Sequence, residues 1–166
     1  MTDTFSESGM TFGPFENEKF FHLEKSKLFR HCNGLKTVEF IYHRKKYILW
    51  FVEAKSSSPM DYSGNEENYE RFLKEIIQKF EDSLYLFLAG LMERKAGHEE
   101  ISEGLKKADY AKMNFIFLLI LNGYQDVWLP PLKQDLEQKM KSFRTIWNSE
   151  VIVMNDTMAR EERLIQ

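Results

Sequence analysis

The chain has 166 residues, 43% of them hydrophobic, enough for one domain with a packed core and no need of disulfides. A net charge of −3 and a pI near 5.9 argue against a protein whose main task is coating nucleic acid, which rests on clustered lysine and arginine. The lone cysteine, Cys32, fits a reducing cytoplasm, no signal peptide is evident, and the longest apolar run, Phe115 to Leu121, falls far short of the roughly 20 residues a membrane helix needs.

Residues 1–17 mix Thr, Ser, Gly, Asp and Glu with isolated aromatics and no period, and are expected to form a flexible N-terminal arm; residues 18–166 read as a single α/β domain. Within residues 18–32, Phe20, Phe21, Leu23, Leu28 and Phe29 suit either a helix or a strand passing into a helix at Ser26, and Asn33-Gly34 stops the element. Residues 37–55 read as a basic-tipped hairpin. Its second strand, Ile48-Leu-Trp-Phe-Val52, is apolar at every position, as a strand covered on both faces of a sheet would be. That strand ends in Glu53 and Lys55, which, two apart, emerge on one side. Glu39 joins that side only if the hairpin loop holds an odd number of residues or one strand carries a bulge. A three-residue loop, Arg44-Lys45-Lys46, meets the condition and sets Glu39 opposite Phe51 and diagonal to Glu53, at a Cβ separation of roughly 7–8 Å or less.

A polar loop over 56–65 leads into a long helix over about 66–95. There Tyr69, Phe72, Leu73, Ile76, Ile77, Phe80, Leu84, Phe87, Leu88 and Leu91 recur at helical spacing, a core stripe flanked by Gln78, Lys79 and Asp82. Residues 97–109 form a charged connection with room for a short helix. Residues 115–121 read as a buried strand, 131–147 as a helix opened by proline, and 151–154 as a last strand, with Asp156 or Thr157 capping a terminal helix through Leu164. Strand, crossover helix and strand in this order predict a parallel pair.

Two carboxylates and a lysine on neighbouring strands are the minimum set for holding a hard divalent cation and positioning a water beside a phosphodiester. The plain alternative is a surface ion pair worth under about 1 kcal/mol. Against it stands the position, at the end of a strand buried on both faces, where open sheets bind ligands. Of four basic clusters, the hairpin tip Arg44 to Lys46 is expected beside the metal; Lys25, Lys27 and Arg30, Lys106, Lys107 and Lys112, and Lys139, Lys141 and Arg144 read as solvated surface. The four histidines fall at no metal-ligand spacing, and no Gly-x-Gly-x-x-Gly, Walker loop or Gly-x-Ser-x-Gly elbow is present.

The order of an acidic residue, a hairpin, an apolar strand ending Glu-x-Lys and a long helix resembles the PD-(D/E)XK nuclease superfamily over residues 20–95. Lys36-Thr-Val-Glu-Phe40 with Phe51-Val-Glu-Ala-Lys-Ser-Ser-Ser-Pro59 looks like a group of bacterial proteins of that superfamily, with Glu39 in place of the usual Asp and Val38 in place of the name-giving proline. The resemblance implies a restriction-endonuclease-like core, a mixed central sheet with an antiparallel hairpin flanked by helices. It also implies magnesium or manganese held by Glu39 and Glu53, and Lys55 beside the attacking water. Glu24 is the candidate for an acidic residue that in some members supports the metal, a surface role being its alternative, and one of Gln78, Lys79 and Asp82 would lie near the site. DNA or RNA would then be the substrate. The alternative, suggested by the acidic charge and the missing aspartate, is a catalytically inactive nuclease-like module that binds a partner protein.

Overall fold

The hairpin and the all-apolar strands assemble into one mixed sheet in the computed structural model, which describes residues 1–59 and 64–166. Strand β4 (Phe40–Lys45) pairs antiparallel with β5 (Ile48–Lys55). In turn β5 runs parallel to β6 (Asn114–Leu121), and β6 parallel to β7 (Glu150–Asn155). A two-residue strand, β3 (Phe20–Phe21), adds antiparallel to β4, giving the order β3-β4-β5-β6-β7. Parallel neighbours need long crossovers. Helix α2 (Glu66–Leu91) joins β5 to β6, and α4 (Leu129–Lys139) with α5 (Lys141–Trp147) joins β6 to β7. The expected α/β class, mixed sheet and antiparallel hairpin are all present, and among the described residues no helix is long and apolar enough to cross a membrane.

Alternation along the strands splits the interior in two. Odd-numbered Ile41, Leu49, Phe51, Phe117, Leu119 and Val153 pack under the α2 stripe of Leu73, Ile76, Phe80, Leu84 and Phe87. Even-numbered Phe40, Trp50, Val52, Leu118 and Ile120 face the other way and need a second cover.

Residues 1–17 provide that cover, so the expected flexible arm is corrected to a β-hairpin of β1 (Thr2–Glu7) and β2 (Met10–Glu16). Met10, Phe12 and Phe15 are buried, and the Phe12 and Phe15 rings lie 5.4 and 5.3 Å from Phe40. Phe12 and Phe15, three residues apart, are brought to the same side by the register shift between Asp3 and Phe5, and burying them against Phe40 stabilises the hairpin by about 1.5–3 kcal/mol per ring. The last residues lock it in place: Gly13 N–H donates to Leu164 C=O at 3.0 Å and Gln166 N–H to Thr11 C=O at 2.9 Å.

Smaller differences have local causes. For residues 18–32, the strand-then-helix alternative holds: β3 is followed by α1 (Lys27–Arg30), capped by the Ser26 hydroxyl, which accepts from Phe29 N–H. Helix α2 stops at Leu91, where Met92 leaves the helical region and Glu93 turns to φ 57°. The helix expected over 131–147 is divided at Met140, whose ψ of 13° breaks the α geometry. Asn155, rather than Asp156 or Thr157, caps the last helix, α6 (Asp156–Glu161), by accepting from Met158 N–H. Ser102 caps α3 (Glu103–Lys106) within the charged connection. Of the polar loop at 56–65, residues 60–63 lie outside the described residues.

The segment that enters β4 hangs on α2. Ser83, fully buried, accepts a 2.8 Å hydrogen bond from Val38 N–H, and Asp82 accepts one from Lys36 N–H at 3.0 Å. Ser83→Ala orphans a buried amide, so urea denaturation should show a loss of about 1–3 kcal/mol. A loss below about 0.5 kcal/mol, the range of neutral surface changes, would mean that the bond does not hold this segment.

Candidate metal centre

The register of the hairpin decides which carboxylates meet. Pairing runs Phe40 with Val52, Ile41 with Phe51, Tyr42 with Trp50 and His43 with Leu49, then shifts so that Lys45 faces Ile48. The extra residue is a bulge at Arg44 and the loop is the two residues Lys46-Tyr47, so the expected Arg44-Lys45-Lys46 loop is corrected. The bulge preserves the parity. Continued by one residue, the register sets Glu39 directly across from Glu53 instead of Phe51. Glu53 and Lys55 thus share the odd-numbered side of the sheet, under α2, whereas Glu39 stands just before the paired part of β4, between Val38 in the α2-side core and Phe40 in the opposite one.

Glu53 has no solvent exposure. Its Oε1 lies 2.8 Å from Lys79 Nζ and 3.3 Å from Lys55 Nζ, and Lys55 also reaches Glu75 at 3.1 Å. Both Lys79 and Glu75 come from α2. Of the three flanking residues singled out in the sequence, Lys79 is the one at the carboxylates; Gln78 donates to Gly34 C=O and to Asp82, and Asp82 holds Lys36 N–H. Burial pushes the Glu53 carboxyl above its ordinary range, with Lys79 and Lys55 offsetting part of the rise. Burial pulls the Lys55 ammonium down, but the charges of Glu53 and Glu75 outweigh it and hold it above an ordinary lysine. Burial likewise raises Glu75, yet Lys55, Lys36 and Lys79 together hold it below the usual range.

Glu39 faces a different neighbourhood. It is 4% exposed, and its carboxyl is pushed up to about 9 by burial first, then by contact with Glu24 and by the negative charges of Glu53, Glu24 and Glu7. One carboxylate oxygen from each of Glu7, Glu24 and Glu39 lies within 4.8 Å of the other two. Glu24 is held there by its own backbone, whose N–H donates to Glu39 C=O at 3.3 Å. Glu7 comes from the tip of the N-terminal hairpin and was invisible to sequence reasoning, since a segment without a period gives no sign of where it docks. Glu75 was also missed, although its place one turn before Lys79 on the stripe's polar edge was a usable signal.

The basic hairpin tip does not lie beside these carboxylates. Strand β5 carries the tip at one end and Glu53 at the other, about 20 Å apart at roughly 3.3 Å per residue. Arg44 is engaged elsewhere, donating to Glu162 C=O at 2.9 Å and lying over the Trp50 ring.

The donor set suits a hard divalent cation. The oxygens of Glu39 and Glu53 are hard donors, and Glu39 Oε2 and Glu53 Oε2 are buried without a hydrogen-bond partner, whereas Glu53 Oε1 is taken by Lys79 and Lys55.

The raised carboxyls give a pH signature. A group whose folded pKa exceeds its unfolded value holds an extra proton when folded, so its contribution to stability is lost as pH rises through the folded pKa. For Glu39 the window runs from the ordinary carboxylate range up to about 9, and Glu53 acts in the same direction. The metal-free protein should therefore gain stability from pH 9 to pH 7, by up to about 1.4 kcal/mol per pH unit per proton. That interval stays above the range in which His22, lowered by burial and by Lys25, takes up its proton. Denaturation in chelator checks this, and equal or greater stability at pH 9 would contradict it.

No known protein family, curated protein or solved structure matches this chain.

Proposed function

We propose that the chain is a metal-dependent nuclease with a restriction-endonuclease-like core, hydrolysing phosphodiester bonds of DNA or RNA. One observation supports the proposal: two carboxyls, Glu39 and Glu53, are buried near enough for the charge of one to act on the other where β4 begins and β5 ends, and Lys55 pairs with Glu53 at 3.3 Å. Glu39 and Glu53 hold magnesium or manganese. Such an ion, when bound, supplies Lewis-acid polarisation and a more acidic water. Lys55 is the more open of the ion-paired lysines at Glu53, with a side chain 26% exposed, and it orients the attacking water or meets negative charge developing on the phosphate. Glu75 and Glu53 keep its ammonium protonated and aimed. A cytoplasmic location belongs to the same proposal, supported by the single free Cys32.

A second reading is favoured by Glu53 itself, whose Oε1 already has two ammonium partners. In that reading the ion pairs are structural and the domain is an inactive module that binds a partner protein.

The test is incubation of the purified chain with single- and double-stranded DNA and with RNA, in magnesium, in manganese and in chelator. Cleavage in metal and none in chelator is expected. Intact substrates in every condition would remove the nuclease reading. If there is also no metal-induced rise in melting temperature, the inert module is left, because an ion bound only to the folded state at 100 times its Kd adds about 2.7 kcal/mol.

A further inference from the structure

We infer that the N-terminal hairpin belongs to the metal centre: Glu7, Glu24 and Glu39 form a seat for a divalent cation, magnesium or manganese, in which Glu7 is a ligand. This deepens the proposed function and rests on it for the use of the ion, though not for its binding. The three residues come from elements remote in the chain, the end of β1, the turn after β3 and the residue preceding β4, yet one oxygen of each falls within 4.8 Å of the others. Like charges gathered this closely repel unless something positive lies between them.

A second observation points into the same space. Glu39 is 4% exposed and its Oε2 has no hydrogen-bond partner, so a buried acceptor is left with nothing from the protein to satisfy it. The lysines do not provide relief. Lys55 and Lys79 pair with Glu53, and among the described residues no lysine or arginine forms an ion pair with Glu7, Glu24 or Glu39. The carboxyls of the site that lack a cationic partner are therefore these three. Glu7 and Glu24 are half-buried, leaving a side open for the waters that magnesium retains.

The hairpin tip is built to hold Glu7 there. Ser8 Oγ donates to Ala54 C=O at 3.0 Å, within the strand that carries Glu53, and Asn122 Nδ2 donates to Ser8 C=O at 3.0 Å. Gly9 lets the turn approach so closely that a Cβ there would stand 2.8 Å from Asn122 Nδ2, and its φ of 76° favours glycine. Ser8 N–H donates to Glu7 Oε1 at 3.0 Å, which fixes the carboxylate and leaves its other oxygen for a ligand.

The test measures binding of manganese alone to the full chain, by calorimetry and by loss of the free-ion paramagnetic resonance signal. The proteins are wild type, Glu7→Gln, Glu24→Gln and a control, Glu16→Gln, whose exposed carboxylate pairs with Lys19. Glutamine keeps the acceptor for Ser8 N–H, so Glu7→Gln should fold; without metal its melting temperature should equal or exceed that of wild type, because a negative charge beside the other two carboxyls is gone. Its manganese affinity should fall by about tenfold or more, Glu24→Gln should fall likewise, and Glu16→Gln should bind as wild type does. Wild-type affinity in Glu7→Gln, or no saturable manganese binding to the wild type, overturns the inference; in the latter case a proton shared by Glu24 and Glu39 is what relieves the repulsion. The two proposals fail separately. Manganese bound through Glu7 by a protein that cuts neither DNA nor RNA leaves this seat standing and removes the nuclease, whereas metal-dependent cleavage with unchanged affinity in Glu7→Gln does the reverse.

Discussion

Replacing Glu53 by alanine is expected to destabilise the metal-free protein by about 3–5 kcal/mol, because it strands a buried ammonium. Lys79 sits on α2 with its side chain 11% exposed, and its Nζ lies 2.8 Å from Glu53 Oε1. Lys55, the other partner, is 26% exposed and keeps Glu75 at 3.1 Å, so it loses much less. The loss should therefore be traceable to Lys79. Glu53→Ala combined with Lys79→Met removes both charges and fills the space beside β5 with an apolar chain, and should recover most of the stability. Urea denaturation of the two single variants and the double variant, analysed as a cycle, isolates the pair. A loss under about 1 kcal/mol for Glu53→Ala, the level of an exposed pair, would mean that the carboxylate does not hold Lys79 in solution. The size of the effect also makes Glu53 a poor probe of chemistry, since lost activity would be mixed with lost fold.

Lys55→Met is the cleaner probe, and it is expected to lower the rate of metal-dependent cleavage by about 10²–10³ while changing stability by less than about 1 kcal/mol. Methionine keeps the aliphatic stem. Glu53 retains Lys79 at 2.8 Å and Glu75 retains Lys36 at 3.6 Å, so neither carboxylate is left alone. Removing one ammonium from beside Glu53 should leave manganese affinity unchanged or higher, because less positive charge competes for that carboxylate. The combination of an intact fold, intact metal binding and a slow chemical step is what a residue at the attacking water produces. Single-turnover cleavage under saturating metal measures it. Full activity in Lys55→Met would place Lys55 outside the reaction and leave it as a neutralising partner of Glu53.

How much of this site was legible in advance depends on the range of the interaction involved. Glu53 and Lys55 share a side because strand geometry has a period of two, which any reader of residues 48–55 can apply. The α2 stripe was legible for the same reason, at a period of 3.6. The hairpin register was only half legible. Parity called for one odd residue between the arms, but whether it fell in the loop or in a bulge was decided by how Arg44 settles over Trp50 and against Glu162, a residue over a hundred positions away.

Local periodicity in the amino-acid sequence thus determined the longer strands of the central sheet, the long helix, the mixed sheet and the common side of Glu53 and Lys55. Tertiary structure alone decided that residues 1–17 cover the second face of the sheet, that Lys79 rather than Gln78 or Asp82 meets Glu53, and that Glu7 joins Glu24 and Glu39. The reason is physical. Backbone preference and alternation act over a few residues, whereas burial of an apolar face and compensation of a buried charge are satisfied by whichever side chains the folded chain brings near.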